Sequence, residues 1–182
     1  MGNETLIGRL GRRAGAAALA AAAGLALGGC GGDDPAPAAL WCAGVCAAVQ
    51  RCGYQDPTCQ PDCVAQRPQL ANLSTSGAAA QKPCLAGLSC RAIGGDATAW
   101  KTEVDACWDQ AKPSVDITEH LRRFCASHAM VWFDCGYTLS LDDCEHDYGM
   151  WDDAVLDRLA ACDSKPGCDQ FQACENGVFD NL

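Results

Sequence analysis

Cysteine is the residue that most limits how this chain can fold. The sequence has 182 residues and contains 15 cysteines. Such a density is typical of exported proteins whose small cores are stabilised by disulfides, whereas a reducing cytosol would keep the thiols free. Because 15 is odd, at least one cysteine must have a role other than pairing within the chain.

Cys30 is the cysteine that stands apart, because of the segment before it. Arg9, Arg12 and Arg13 form a cationic flank, residues 14–27 form an apolar stretch too short to span a bilayer, and two glycines precede the cysteine. This pattern predicts a signal peptide at residues 1–29. It resembles the lipobox of bacterial lipoproteins, which implies a diacylglyceryl group with acyl chains such as palmitate on Cys30.

Residues 30–39 are predicted to be the lipidated cysteine and a flexible tether, since residues 31–39 are rich in Gly, Ala, Pro and Asp. The resemblance implies a chain held in the cell envelope by its lipid anchor. Gly31 stands where lipoproteins kept in the inner membrane carry Asp, which favours the outer membrane, on its periplasmic side or at the cell surface. Sec and twin-arginine export both remain open.

The fourteen cysteines that remain are even in number and are expected to form seven disulfides. They are Cys42, Cys46, Cys52, Cys59, Cys63, Cys84, Cys90, Cys107, Cys125, Cys135, Cys144, Cys162, Cys168 and Cys174.

The charge of the chain after residue 29 restricts its partners. It has 10 Lys and Arg against 22 Asp and Glu, a formal charge of −12. Such a field repels phosphate backbones, so nucleic acid is excluded as a partner class. It also disfavours docking on anionic lipid, and we therefore expect the covalent anchor to provide the membrane link.

An internal repeat organises the rest of the sequence. Nine residues separate Cys42 from Cys52 and also Cys125 from Cys135, and Gly-Tyr follows in both places. A pair of cysteines separated by five residues comes later in each copy, at 84 and 90 and at 162 and 168. We therefore predict two diverged modules, Cys-rich module 1 at residues 40–112 and module 2 at residues 116–178.

Apolar residues in both modules recur at helical spacing. In residues 41–52 and again in 121–135 they fall one, three and four positions apart, which places them on one face of a helix. Strand-like alternation is absent and β-branched residues are few. The sequence predicts a mostly α fold, made of disulfide-stapled helical hairpins with few or no strands.

Two helix starts are predicted from local signals. Asp116 with Glu119 three positions later is typical of a capping box. Asp96, after two glycines, is a suitable N-cap for the next helix. A further helix is expected from Trp151 to Cys162.

The disulfide pairing of the first hairpin follows from helix geometry. Cys42 and Cys46 are four residues apart, as are Cys59 and Cys63, so each pair shares a helix face. Two such helices running antiparallel pair Cys42 with Cys63 and Cys46 with Cys59. The spacing is similar to the hairpins of small mitochondrial intermembrane-space chaperones.

Module 2 predicts only the outer bond, Cys125 with Cys144, because Ala129 occupies the position of Cys46. The remaining quartets, 52, 84, 90, 107 and 135, 162, 168, 174, each allow three pairings.

The sequence offers few candidates for catalysis. It has no C-x-x-C, G-x-S-x-G, P-loop or G-x-G-x-x-G motif, so no cofactor and no nucleophile is predicted, and the three histidines are scattered. The densest group of chemical side chains is the acidic cluster at residues 142–153. It departs from a calcium loop because Ala154 stands at the chelating twelfth place, and we interpret it as an acidic helix start with a solvated face.

Five tryptophans, at 41, 100, 108, 132 and 151, have helical spacing with apolar residues and are expected to pack in the core rather than to line a binding groove.

The chain resembles the cysteine-rich lipoproteins of myxobacterial-type genomes, on its lipobox, C-x3-C, Cys-Gly and C-L-x4-C elements. That resemblance implies location and architecture. We interpret the chain as a non-enzymatic envelope lipoprotein that presents a surface to a protein or polysaccharide partner. The alternative is an envelope hydrolase that uses carboxylates of the 142–153 cluster.

Overall fold

The structure is a computed structural model that describes residues 35–182. In this range the fold is mostly α, as the sequence predicts, and its only β pairing is an isolated bridge between Leu73 and Trp151. The signal peptide at 1–29 and Cys30 lie outside the described residues. The helices are α1 (Pro37–Arg51), α2 (Cys59–Gln66), α3 (Thr75–Ala86), α4 (Cys90–Ile93), α5 (Ala97–Ala111), α6 (Glu119–Asp134), α7 (Leu141–Tyr148), α8 (Asp153–Ala160) and α9 (Cys168–Asp180), with short 3-10 helices at Pro68–Asn72, Lys112–Ser114 and Ala161–Ser164.

Helix α1 begins earlier than the sequence predicts. The tether was expected to extend to residue 39, but Pro37 is the first helical residue and Ala38 is buried in the core. A proline fits the first helical position, because its φ is already helical and its missing N–H is not needed there. Residues 37–39 therefore belong to the folded part rather than to the tether.

The described chain has two halves, residues 35–115 and residues 116–182. Helix α1 is the centre of the first half and packs closely against α3. The close approach depends on Gly44, where a Cβ atom would lie 2.8 Å from the carbonyl oxygen of Lys82. Cysteine, valine and alanine side chains on the same helix are buried between α2, α3 and α5. The apolar face predicted from the spacing in residues 41–52 is this core face.

Four disulfides link the first half and three link the second. The pairs in the first half are Cys42–Cys63, Cys46–Cys59, Cys52–Cys90 and Cys84–Cys107. The pairs in the second half are Cys125–Cys144, Cys135–Cys168 and Cys162–Cys174. The two pairs predicted from helix geometry, and the Cys125–Cys144 pair predicted from the repeat, are among them. The quartets that the sequence left open pair in the same order in both halves, and none of these bonds joins one half to the other.

The second half repeats the arrangement around α6. Leu121, Phe124 and Cys125 of α6 are buried against α8 and α9, and Phe171 of α9 is fully enclosed. Helix α7 lies antiparallel to α6 and is joined to it by the Cys125–Cys144 bond. These helices are short, and their cross-links compensate for the small core that each half can bury.

Of the two predicted helix starts, one is wrong and one is right, and the helix expected within residues 151–162 is present as α8. Thr118, not Asp116, caps α6: its hydroxyl accepts a hydrogen bond from the backbone N–H of Leu121. Asp152 caps α8, so that helix starts at Asp153 and leaves Trp151 outside it. Asp96 does cap α5, as predicted, by accepting from the N–H of Ala99.

The two halves meet along a short stretch of backbone. The N–H of Ser74 donates to the carbonyl of Met150 at 2.9 Å, and the N–H of Asp152 donates to the carbonyl of Asn72 at 2.9 Å. Trp151 thereby lies against Trp108, with ring centroids 5.1 Å apart. This pairing keeps Trp151 outside α8, since the backbone groups of its neighbours Met150 and Asp152 are hydrogen-bonded to the first half.

Within residues 35–182 no helix has both the length and the apolar character needed to cross a bilayer.

Candidate functional site

The acidic cluster at residues 142–153 forms helix α7 and the start of α8. Ser140 caps α7: its hydroxyl accepts from the N–H of Asp143 at 3.0 Å and donates to the carboxylate of Asp143 at 2.6 Å. Carboxylates in the first turn of a helix are stabilised by its dipole. The expected acidic helix start with a solvated face is what the structure contains.

The carboxylates of this cluster point in different directions. The side chain of Asp142 is 82% exposed and lies 3.7 Å from His146 on the next turn. Asp147 forms an ion pair with Lys112 at 2.9 Å, and Asp152 is used as the cap of α8. Glycoside hydrolysis needs two carboxylates that face one substrate bond across about 5–10 Å. These side chains instead have separate partners or face solvent.

A cleft of about 390 Å³ lies where the two halves meet. Three helices point their N-termini into it, and their caps Ser74, Thr118 and Asp152 line its wall. Those caps already satisfy backbone N–H groups within their own helices, and Ser74 also donates to the carbonyl of Gly149 at 2.7 Å. Asp116 and Asp153 add two carboxylates to the rim. The lining of the cleft is polar and apolar in equal measure, and the caps in its wall are occupied by structural hydrogen bonds.

His128 is the centre of a buried polar cluster in the second half. Its side chain is completely buried, and its Nδ1 lies 2.7 Å from the carboxylate of Asp163. Its Nε2 lies 3.0 Å from Glu175, whose side chain is 5% exposed. The hydroxyl of Tyr148 donates to Glu175 at 2.9 Å, and the Trp132 indole N–H lies 3.2 Å from Nε2. Four elements therefore converge on one imidazole.

The pKa values in this cluster follow from burial and charge. Burial by itself would lower the pKa of His128, but hydrogen bonds and the charges of Asp163 and Glu175 outweigh it and hold that pKa above its ordinary value of 6.5. Burial, and then the charge of Glu175, raise the pKa of Tyr148 well above its usual range. A protonated His128 donates to a carboxylate from each ring nitrogen, so the buried charges are paired.

The polar cluster around His128 has the residue types of a catalytic site, but its imidazole is not exposed to a substrate. A general base must reach the proton that it abstracts, within hydrogen-bond distance of substrate. The ring of His128 is enclosed by Phe124 on one side, with centroids 4.5 Å apart, and by Phe171, with centroids 5.4 Å apart. The arrangement holds α6, α7 and α9 together rather than exposing a reactive atom.

Sequence reasoning missed this cluster, although one signal was present. His128 lies on the apolar face of α6, where a histidine is buried and needs partners. Those partners are 20, 35 and 47 residues away along the chain. The other two histidines lie outside this cluster, each beside an aspartate: His120 lies 3.2 Å from Asp157, and His146 lies near Asp142.

The tryptophans pack as the sequence predicts, with one polar addition. Trp41 is buried and donates its indole N–H to Gln81 at 2.9 Å. The guanidinium of Arg67 lies between Trp41 and Trp100, 5.6 and 5.4 Å from the two ring centroids. Desolvation lowers the pKa of Arg67. Both rings are therefore used in a packed cation–π contact and leave no aromatic groove there.

Among the residues that the structure describes, no three His, Cys, Asp or Glu side chains form a group suited to holding a metal ion. No protein-family model matches this chain, and no curated protein or solved structure matches it at a significant level.

Proposed function

We propose that this chain is a non-enzymatic, lipid-anchored lipoprotein of the cell envelope, whose disulfide-stapled helical modules present a binding surface to a protein or polysaccharide. The observation that supports this best is the arrangement of the carboxylates in residues 142–153. A hydrolase needs two of them aimed at one point, whereas here they cap helices, pair with Lys112 and His146, or face solvent.

The disulfides support the same proposal. All fourteen cysteines after Cys30 are used in seven bonds, which leaves no thiol for redox chemistry among the described residues. Cross-links at this density rigidify a surface, and a rigid surface loses less entropy when it binds. Such a scaffold suits recognition in an oxidising compartment.

The anchor is proposed from the lipobox, and a single substitution tests it. Cys30→Ser removes the thiol to which the diacylglyceryl group would attach. We expect the variant to lose fatty acylation and to leave the membrane fraction, while the fold is unchanged because no disulfide involves this position. Membrane fractionation with metabolic acyl labelling makes the measurement. Acyl label on the variant would contradict the proposed anchor, and the matched variant Cys30→Ala should behave as Cys30→Ser does.

The binding role is tested with the lipid-free chain, residues 31–182. All the disulfides and all three buried clusters lie within it. We expect specific capture of an envelope component and no turnover of envelope polysaccharide or peptide. Hydrolysis that disappears in Asp153→Asn or Asp116→Asn, two carboxylates at the rim of the cleft, would contradict the proposal and favour a hydrolase.

A further inference from the structure

Most of the exposed large apolar side chains lie in one segment of the second half, which comprises the end of α6, the turn after it and the first residue of α7. Six large apolar side chains are exposed in residues 35–182, and four of them lie between 130 and 141: Met130 at 68%, Phe133 at 71%, Tyr137 at 53% and Leu141 at 54%. We call these four residues the apolar tip. Isolated exposed apolar residues are ordinary, but a group of them marks an interaction site.

The apolar tip is built on a rigid turn. Cys135 ends α6 and is bonded to Cys168, and Gly136 turns the chain with a φ of +83°. Tyr137 packs edge-on against Trp132, with ring centroids 5.2 Å apart. Its aromatic side chain is therefore already ordered before any partner arrives, which lowers the entropy cost of binding.

The first half has the same turn without the apolar surface. Cys52, bonded to Cys90, is followed by Gly53 with a φ of +86° and by Tyr54. When the halves are aligned on Cys42 and Cys125, Ala47 and Gln50 stand where the second half has Met130 and Phe133. When they are aligned on Cys63 and Cys144, Gln60 stands where the second half has Leu141. The scaffold therefore does not require large apolar side chains at these positions.

Charge also separates the two halves. Residues 35–115 contain six basic and six acidic side chains, whereas residues 116–182 contain four basic and fourteen acidic ones, a formal charge of −10. No Lys or Arg occurs between Arg123 and Arg158. Asp134 and Asp142 are exposed beside the apolar tip. A surface of this kind attracts a cationic partner and repels phosphate groups.

We propose that the apolar tip, with its neighbouring carboxylates, is the docking site for a basic and apolar peptide segment of a protein partner. The tip consists of four side chains, whereas a standard protein–protein interface has about 20–30 residues on each side. A short segment matches that size. The inference rests on the proposed binding function and names the surface and the class of partner.

The direct test is fluorescence anisotropy of a short labelled peptide in which lysine alternates with leucine, titrated with residues 31–182. We expect Phe133→Ser and Leu141→Ser each to weaken binding by about tenfold, the loss typical of a central apolar contact. The matched control is Tyr54→Ser, which removes the exposed aromatic of the corresponding turn in the neutral first half and should change affinity less than about twofold.

Charge is tested separately. Asp134→Asn with Asp142→Asn should weaken binding and reduce its dependence on salt. Asp180→Asn is the control, since Asp180 ends α9, whereas Cys168 at the other end, about 18 Å away along the helix, is bonded to Cys135 beside the tip. A peptide with glutamate in place of lysine, or glycine in place of leucine, should not bind.

Several results would overturn the proposal. Equal losses of affinity in Tyr54→Ser and Phe133→Ser would mean that the acidic chain binds the cationic peptide without a specific site. Dimerisation in sedimentation velocity that is lost in Phe133→Ser would assign the tip to a second copy, and binding to zwitterionic vesicles would assign it to lipid. If Phe133→Ser did not affect capture of an envelope component, the apolar tip would be ruled out as the docking site, while the proposed binding function would stand.

Discussion

At the level of single residues, His128 determines much of how the second half holds together. A buried imidazole between two carboxylates is stabilised in its charged form, and each ring nitrogen lies within hydrogen-bond distance of one carboxylate. Asp163 lies in a 3-10 helix and Glu175 in α9, while His128 lies in α6. Protonation of one side chain therefore ties three elements together.

The pH dependence of stability follows from this contact. Because the pKa of His128 is higher in the folded chain than the ordinary 6.5, the stabilisation is complete below pH 6.5 and is lost as pH rises through the folded pKa. We expect the free energy of unfolding to fall over that interval. Denaturant unfolding at a series of pH values measures it, and His128→Gln should abolish the slope. His120→Gln is the control and should retain the slope; an NMR titration of His128 with a midpoint below 6.5 would contradict the assignment.

Helix caps show a second effect at this level. Asp116 and Thr118 both precede α6, and a pattern of Asp followed by Glu three positions later favours Asp116. The structure uses the hydroxyl of Thr118, and Ile117 before it packs against the small core of Ala111, Val115 and Met150. The choice between neighbouring caps depends on the path of the backbone that enters the helix.

The two caps are distinguished by substitution. We expect Thr118→Ala to lower the free energy of unfolding by about 1 kcal/mol, the usual loss when an N-cap is removed. Asp116→Ala should change it by less than about 0.5 kcal/mol, as is usual for an exposed side chain without such a role. Urea unfolding of both variants makes the comparison, and a larger loss in Asp116→Ala would restore the predicted capping box.

At the level of elements, the two helical hairpins differ in how the start of their second helix is stabilised. In the first half, Cys46–Cys59 attaches the start of α2 to α1. The hydroxyl of the cap residue Thr58 accepts no hydrogen bond from a backbone N–H of the helix and donates instead to the carboxylate of Asp62. In the second half, Ala129 replaces Cys46, and Ser140, at the position of Cys59, caps α7 through its hydroxyl. The second half thus has a capping hydrogen bond within α7 at the position where the first half has a cross-link between helices, and Cys125–Cys144 alone joins α7 to α6 covalently.

The inner disulfide should therefore be dispensable. We expect Cys46→Ala with Cys59→Ala to fold and to lose about 3 kcal/mol, the chain-entropy value for a loop of this length. Loss of Cys42 and Cys63 together should impair folding more, because the second half retains the equivalent outer bond. Cys46→Ala alone should be worse than the inner double variant, since it leaves a thiol free to mispair. Oxidative refolding yield and thermal unfolding measure these effects; a harmless Cys46→Ala would contradict the hairpin argument.

At the level of the whole molecule, the halves are joined by backbone hydrogen bonds and packing rather than by a disulfide. Gly77 of α3 is the closest point, where an added Cβ would lie 3.0 Å from the carbonyl oxygen of Met150 and 3.1 Å from its Cα. Lys112 forms ion pairs with Asp109 in its own half and with Asp147 in the other half. The hydrogen bond to Asp147 raises the pKa of Lys112. Because the backbone at Gly77 lies this close to Met150, the junction depends on glycine at position 77.

Gly77→Ala should loosen this junction. We expect it to cost about 1–3 kcal/mol, the range for overpacking a close contact, and to increase hydrogen exchange at the N–H groups of Ser74 and Asp152. Gly177→Ala is the matched control, because a Cβ there meets nothing within 4 Å and alanine favours the helix. Equal effects of the two substitutions would mean that the halves do not depend on this approach.

Spacing within the sequence was sufficient for the mostly α fold and for the Cys42–Cys63, Cys46–Cys59 and Cys125–Cys144 pairs. Residues four apart must share a helix face, so the helices and the first two pairs depend on local geometry alone, and the Cys125–Cys144 pair follows from aligning the second module with the first. The order of the remaining disulfides, the partners of His128 and the pairing of Trp151 with Leu73 depend on where helices distant in sequence come to lie. Packing of the cores sets those positions, and a linear pattern does not contain them.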